Sequence, residues 1–140
     1  MGKTSIVINR PARAVFARLT DLERAREWAP QMGRFHIDGP LREGTTMHEE
    51  RRLLGLKLNA IWTVTRFVPD KAFGLHLGFG PIRGDFEYLL EPAATGTRLT
   101  QTTDLGFRAP LSFLSPLIAG EAQKEEDTEL VRLKEILERE

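Results

Sequence analysis

Two residues of opposite charge, Glu49 and Arg51, lie two positions apart in a segment predicted to be a β-strand. Side chains with this spacing point to the same face of a sheet, here the face that also carries Met47. Burial of such charges is costly unless they are paired. The pair could anchor a polar group of a ligand, or Glu49 could be a general acid or base with a raised pKa. The alternatives are a structural ion pair or a solvated position at the mouth of a cavity.

A second polar group, formed by Tyr88, Gln101 and Thr103, falls on two neighbouring predicted strands. These side chains could hydrogen-bond a carbonyl or hydroxyl group of a ligand. They could equally satisfy one another or a trapped water. Tyr88 joins Glu49 as a candidate for proton transfer.

Other catalytic chemistries find little support in the sequence. The chain has no cysteine, which excludes disulfides, thiol nucleophiles and thiolate metal ligands. Its three histidines form no HxH or HxxxH pair, so neither a metal site nor another cofactor is expected. Ser112 and Ser115 lack the Gly-x-Ser-x-Gly setting of a nucleophilic serine. Whether the protein is an enzyme is left open.

Composition limits the possible partners. Among 140 residues, 20 are Lys or Arg and 20 are Asp or Glu, so there is no basic field to attract nucleic acid. No apolar run approaches the ~20 residues needed to span a bilayer, and the N-terminus carries no signal-peptide core. Hydrophobic residues make up 41%, enough for the core of a single domain over residues 1–140. We therefore expect a cytoplasmic protein without stable membrane insertion.

Helical segments are predicted at both ends of the chain. A strand over Ser5–Asn9 precedes Pro11, which suits the first turn of a helix. Asp21 can cap a second short helix, which ends before Trp28. Trp28 could line the cavity entrance or simply pack in the core.

The C-terminal segment, about 115–139, has the pattern of one long amphipathic helix. Leu130, Leu133 and Leu137 share one face of it. An acidic run near its start is expected to form a solvated face, comprising Glu121, Glu125, Glu126 and Asp127.

Between the helices, regularly spaced turn signals predict an antiparallel meander. A short strand over 34–38 precedes strands over 45–53, 56–67, 72–79, 82–91 and 97–106. Each turn fixes which residues pair across its hairpin. The four turns agree on one inner face, made of Leu53, Leu56, Leu58, Ala60, Trp62, Val64, Phe73, Leu75, Leu77, Phe79, Ile82, Phe86, Tyr88, Leu90, Leu99 and Leu105.

The order of these elements resembles the START-like superfamily, also called SRPBCC or Bet v 1-like, and within it the polyketide cyclase/dehydrase-like group. The matching parts are the opening strand, the helix after Pro11, Asp21…Trp28-Ala29-Pro30, Gly44-Thr45, Phe67-Val68-Pro69, Leu90-Glu91-Pro92…Gly96-Thr97-Arg98-Leu99-Thr100, and the C-terminal helix. The resemblance implies an α+β helix-grip fold. In it a curved antiparallel sheet of six to seven strands wraps a long C-terminal helix, with two short helices after the first strand.

The resemblance also implies a cavity between sheet and helix. The leading hypothesis is that it binds a small hydrophobic or amphipathic ligand, namely a lipid, polyketide or aromatic compound. The predicted ligand-binding residues are Trp28, Met47, Glu49, Arg51, Trp62, Leu75, Leu77, Phe79, Phe86, Tyr88, Gln101, Thr103 and Leu130. The alternative is a polyketide cyclase or dehydratase in which Glu49 or Tyr88 moves protons, since family members of this type need no covalent intermediate.

A third hypothesis concerns the apolar segment 107–117, which contains two prolines and precedes the last helix. Exposed apolar patches of this kind often mark interaction sites. The segment could form the lip of the cavity, or a protein-interaction surface that makes the chain a homodimer.

Overall fold

The computed structural model describes residues 2–30, 32–53 and 56–140, but not the side chains at positions 52, 53, 56, 58 and 79. In these ranges seven antiparallel strands form one sheet, in the order β1-β7-β6-β5-β4-β3-β2. The strands are β1 (Gly2–Ile8), β2 (Arg34–Ile37), β3 (Thr46–Leu53), β4 (Leu56–Val68), β5 (Ala72–Phe79), β6 (Ile82–Ala93) and β7 (Gly96–Phe107).

The predicted register is confirmed across the meander. Cross-strand partners include Met47–Trp62, Trp62–Leu77, Phe73–Tyr88 and Tyr88–Gln101. Alternation within each strand then turns one set of apolar side chains inward. Leu53, Leu56, Leu58 and Phe79 also belong to the predicted inner face, but their side chains lie outside the described part of the structure.

Two local features depart from a plain meander. The ladder between β4 and β5 shifts register between Val64 and Arg66, and such a bulge bends and twists its strand. The first strand starts at Gly2 rather than Ser5, because its backbone pairs with β7 from Gly2–Thr103 onward. Its polar residues gave no apolar pattern by which this extension could be predicted.

Besides a short 3-10 helix over Leu111–Leu114, three helical elements pack with the sheet in the described residues. Helix α1 (Ala12–Leu19) follows β1, a 3-10 helix (Leu22–Glu27) stands where a second short helix was predicted, and α2 (Ser115–Arg139) closes the chain. This arrangement confirms the predicted α+β helix-grip architecture.

The core forms where α2 contacts the sheet. Leu130, Leu133 and Leu137 are at most 1% exposed and pack with α1 residues such as Val15 and Leu19. A smaller apolar cluster surrounds Ile118 near the start of α2. Within the described ranges, no helix is both long and apolar enough to cross a membrane.

Candidate functional site

A cavity of about 170 Å³ lies between the inner face of the sheet and α2. Most of the predicted ligand-binding residues line it, as proposed from the strand register. They are Trp28, Met47, Glu49, Arg51, Trp62, Leu75, Leu77, Phe86, Tyr88 and Gln101.

Two predicted residues do not contribute to this wall. Thr103 is buried outside the cavity lining, and its hydroxyl donates a 2.7 Å hydrogen bond to Oε1 of Glu126. Leu130 is fully buried in the core, because the leucine stripe of α2 packs against the sheet and α1 instead of facing the cavity. The side chain of Phe79 lies outside the described residues.

Several lining residues were not among the predicted ligand-binding residues, although Phe73, Ile82 and Leu105 were placed on the inner face of the sheet. From the N-terminal part and the sheet, these are Leu19, Leu22, Ala29, Met32, Phe35, Phe73, Ile82 and Leu105. From α2, they are Ile118, Glu121, Ala122, Glu125, Glu126 and Glu129. These residues of α2 recur at intervals of three and four positions, which is the spacing of one helical face and could have identified them from the sequence.

Aromatic side chains form much of the apolar wall. The rings of Trp62 and Phe86 have centroids 5.3 Å apart, and those of Phe73 and Tyr88 stack at 6.3 Å with an interplanar angle of 20°. All four residues line the cavity. Aromatic side chains therefore supply a large share of the apolar surface of the cavity.

Glu49 is held in place by neutral donors on two sides. Its Oε1 accepts a 2.8 Å hydrogen bond from Nε1 of Trp62, and its Oε2 accepts one of 2.8 Å from the backbone N–H of Gly33. A Cβ at position 33 would lie 1.5 Å from the carbonyl oxygen of Glu50, so only glycine permits this approach. The Glu49 carboxylate is therefore part of the local structure.

Arg51 connects the sheet to α2 beside the cavity. Its Nη1 lies 3.7 Å from Oε1 of Glu49, and its Nη2 lies 3.4 Å from Oε2 of Glu125. This geometry matches the structural ion pair that stood as the alternative for Glu49 and Arg51.

The acidic face near the start of α2 was predicted to be solvated, and for Glu126 that prediction is wrong. Glu126 is only 5% exposed, and it lines the cavity together with Glu121, Glu125 and Glu129. Asp127 does lie on the exposed side, where it accepts a 2.7 Å hydrogen bond from the Thr4 hydroxyl. The helix turns one edge of its acidic face inward.

This burial changes the protonation of the cavity groups. Burial raises the pKa of Glu129 to about 7, with Arg51 opposing the shift and the carboxylates of Glu125, Glu126 and Glu49 adding to it. Burial also raises the pKa of Glu126, against the hydrogen bond from Thr103. The pKa of the Tyr88 hydroxyl is raised by burial and by Glu129 and Glu126, so it stays protonated.

Trp28 packs in the core and also contributes to the cavity wall. It is 4% exposed. No described residue accepts a hydrogen bond from its buried Nε1–H.

The histidines lie away from the cavity. His48 and His76 are about half exposed and contact the carboxylates of Asp38 and Asp85 at 2.9 Å and 2.8 Å. Across the described residues no three His, Cys, Asp or Glu side chains are grouped to hold a metal ion.

The apolar segment 107–117 contains a short 3-10 helix over Leu111–Leu114, and none of its described residues lines the cavity, so its role as a lip stays a prediction. Phe113 is 74% exposed and Leu117 60% exposed. The interaction surface and the homodimer suggested from this segment stay predictions.

A family model described as polyketide cyclase / dehydrase and lipid transport matches residues 2–138. The chain belongs to this family. The resemblance noted from the sequence is thereby confirmed. None of the curated proteins matches the sequence.

Solved structures share the fold of this polyketide cyclase / dehydrase and lipid transport family member. A Streptomyces structure titled ZhuI aromatase/cyclase aligns with a TM-score of 0.84 at 12% identity, over 99% of this chain and 93% of that one. Ara h 8.0201 aligns with a TM-score of 0.78 at 12% identity, over 99% and 97% of the two chains. A Thermus thermophilus protein gives 0.78 at 16% identity, over 96% and 94%. At such identities the likeness concerns the fold alone.

Proposed function

We propose that this protein binds a small apolar or amphipathic molecule in the cavity between the sheet and α2. The observation that carries the proposal is the cavity itself, about 170 Å³ in volume and walled largely by aromatic and aliphatic side chains. Sites of this kind, apolar with a few convergent polar groups, are typical for small organic ligands.

Two polar side chains of the sheet support a ligand that is more than a hydrocarbon. Gln101 is 3% exposed and Tyr88 8% exposed, and both line the cavity. Neither side chain hydrogen-bonds a described residue, so both can take hydrogen-bond partners from a bound molecule. A ligand hydroxyl, carbonyl or amine would provide them.

Binding can be tested with N-phenyl-1-naphthylamine, a neutral probe whose fluorescence rises in apolar surroundings. The chain has two tryptophans, Trp28 and Trp62, and both line the cavity, so energy transfer from them reports the site. Ala122→Phe places a ring into the cavity and should weaken probe binding roughly tenfold or more. Ala119→Phe makes the same change on α2 outside the cavity lining and should leave it unchanged.

Circular dichroism would establish that both variants keep their fold. A wild-type protein that does not bind the probe, or a folded Ala122→Phe variant that binds it as well as the wild type, would contradict the proposal. Native mass spectrometry of the purified protein adds a direct search for a copurifying small molecule.

A second candidate function is proton transfer during a cyclisation or dehydration, and Glu129 specifically favours it. Its carboxyl group lines the cavity, and its pKa of about 7 lets it both hold and release a proton near neutral pH. Glu49 suits the role less, because both of its oxygens already accept N–H groups. Tyr88 suits only the acid side, because its hydroxyl stays protonated.

The enzyme hypothesis requires turnover of a reactive probe, for which a poly-β-ketone thioester is suitable given the aromatase/cyclase among the fold relatives. Glu129→Gln should slow its cyclisation by about 10²–10⁴-fold if the carboxyl group transfers the proton. Binding of the neutral probe should persist in this variant. Absence of turnover by the wild type would leave the binding proposal intact and reject this second candidate for that substrate.

A further inference from the structure

We propose that the cavity selects an amphipathic cation: an amine or quaternary ammonium compound with its apolar body against the sheet and its charged group beside Glu126 and Glu129 of α2. This inference rests on the proposed function, because it requires that the cavity hold a ligand. It adds the sign of the ligand's charge and the wall that recognises it.

The charges around the cavity are strongly unequal. Among the described residues, one basic residue, Arg51, lines it, against the five acidic residues Glu49, Glu121, Glu125, Glu126 and Glu129. The guanidinium of Arg51 already lies 3.7 Å from Glu49 and 3.4 Å from Glu125. Its charge is thus engaged by carboxylates at the edge of the site.

Glu126 and Glu129 are left without a cation. Over the described ranges, neither carboxylate forms an ion pair, and the hydrogen bond that Glu126 accepts comes from the neutral hydroxyl of Thr103 at 2.7 Å. Glu126 is buried and Glu129 half-buried, and the loss of water around a carboxylate that has no ion-pair partner favours uptake of a proton or contact with a positive group. A ligand cation would stabilise both in their ionised forms.

The opposite wall offers two further kinds of contact to an ammonium group. Tyr88 and Gln101, each more than nine-tenths buried, line the cavity without a hydrogen-bond partner among the described residues. Their oxygens can accept N–H donors. Trp62 and Phe86 also line the cavity, and a cation that reaches a face of either ring would be attracted by its quadrupole. These groups belong to the sheet rather than to the acidic face of α2, and they are compatible with the same occupant.

Three probes with one apolar body separate charge from burial: 3-phenylpropylamine, 3-phenylpropan-1-ol and 3-phenylpropanoate. At pH 8 the amine is protonated and the carboxylate is ionised. Their competition against N-phenyl-1-naphthylamine gives relative affinities. The ammonium compound should bind roughly tenfold or more tightly than the alcohol, and the carboxylate more weakly than both.

The outcomes separate the two proposals. If the alcohol binds at least as tightly as the ammonium compound, the inference of a cationic ligand is overturned while the binding function stands. If the fluorescent probe itself does not bind, the proposed function fails. If the fluorescent probe binds but the ammonium compound does not displace it, the inference of a cationic ligand is overturned.

Charge-removing variants locate the selectivity. Glu126→Gln and Glu129→Gln keep the shape of the side chain, and each should reduce the preference for the ammonium compound severalfold without weakening the alcohol. Glu135→Gln makes the same change at an exposed position of α2 outside the cavity lining and should keep the full preference. Glutamine variants that fold and retain the wild-type preference would overturn the assignment to these carboxylates.

A measurement on the wild-type protein tests the proposal even if the variants do not fold. The groups facing Glu129 are Glu49 and Arg51 of β3, Tyr88 of β6, and Glu125 and Glu126 of α2. Because Glu129 is partly protonated near pH 7, binding of a cation beside it should release protons, and ammonium affinity should rise between pH 5 and pH 8. Calorimetry in two buffers of different ionisation enthalpy measures this release, and its absence would contradict the proposal.

Discussion

The sheet wall and the helix wall of the cavity use glutamate in opposite ways. On the sheet, Glu49 is 4% exposed and receives N–H groups from Gly33 and Trp62, each at 2.8 Å. On α2, Glu126 is similarly buried but has the hydroxyl of Thr103 as its hydrogen-bond donor. Equal burial therefore accompanies unequal stabilisation of the charge.

The difference follows from the local backbone. The chain before β2 passes close to β3, where the glycine at position 33 lets an N–H reach Glu49 without a clash against Glu50. Helix α2 can offer no such donor, because the N–H groups in the middle of a helix are already bonded to its own carbonyl groups. A carboxylate turned inward from a helix must find its partner elsewhere.

From this contrast we infer that the acidic residues of the two walls have different roles. The Glu49–Arg51 pair stabilises the local structure of the sheet and links the sheet to Glu125 of α2. Glu126 and Glu129 are the acidic groups whose negative charge a ligand cation can still neutralise. Each of the following experiments tests whether the two walls differ in this way.

The largest effect on stability is expected for the leucine stripe of α2, which consists of Leu130, Leu133 and Leu137. Leu130→Ala should lower the free energy of unfolding by about 2–5 kcal/mol, because the side chain is fully buried and leaves a cavity behind. Urea denaturation measures this loss, and binding of the fluorescent probe by the folded variant should persist. Leu75→Ala on the sheet wall is the matched comparison. It should lower the free energy of unfolding by less, but it should weaken binding of the fluorescent probe. The reverse pattern would place the leucine stripe in the binding site.

Glu129→Gln should change how stability depends on pH. The folded protein holds the Glu129 proton up to a pKa of about 7, whereas the unfolded chain releases it near 4.5. Stability of the wild type should therefore fall as pH rises through this window, by about 2 kcal/mol for a partly screened group.

The glutamine variant lacks this loss, so it should match the wild type near pH 4.5 and exceed it in stability above pH 7. Chemical denaturation at several pH values checks this, with Glu135→Gln as the control. A wild-type advantage that grows with pH would mean that Glu129 is ionised and paired in the folded protein.

A somewhat smaller effect is expected for the carboxylate of the sheet. Glu49→Gln replaces one acceptor with an NH₂ group, so an N–H of Gly33 or Trp62 loses its partner. The expected cost is about 1–2 kcal/mol in unfolding free energy. Glu50→Gln, on the exposed side next to it, should change stability by less than about 0.5 kcal/mol. Equal stability of the two variants would remove the structural role assigned to Glu49.

The same contrast explains what the sequence could predict. Turns fix hairpin register, and register fixes faces, so the positions of Trp62, Leu77 and Tyr88 followed from local signals. The direction of the α2 acidic face did not, because Glu126 and Asp127 are neighbours in sequence and only docking against the sheet decides which is buried. The approach of Gly33 to β3 was likewise not predicted, because none of the four turn signals fixed the register of β2 against β3, in which Arg34 pairs with Glu50.

The smallest effect on stability is expected for a polar group of the sheet wall that lacks a protein partner. Tyr88→Phe removes a hydroxyl that no described residue hydrogen-bonds, while the ring stacked on Phe73 is kept. Stability should therefore change by less than about 0.5 kcal/mol, in contrast to Glu49→Gln. If the hydroxyl contacts the ligand, affinity for 3-phenylpropylamine should fall severalfold. Affinity for N-phenyl-1-naphthylamine should stay unchanged. A loss of stability without a change in affinity would instead show that the hydroxyl of Tyr88 supports the fold, as the carboxylate of Glu49 does.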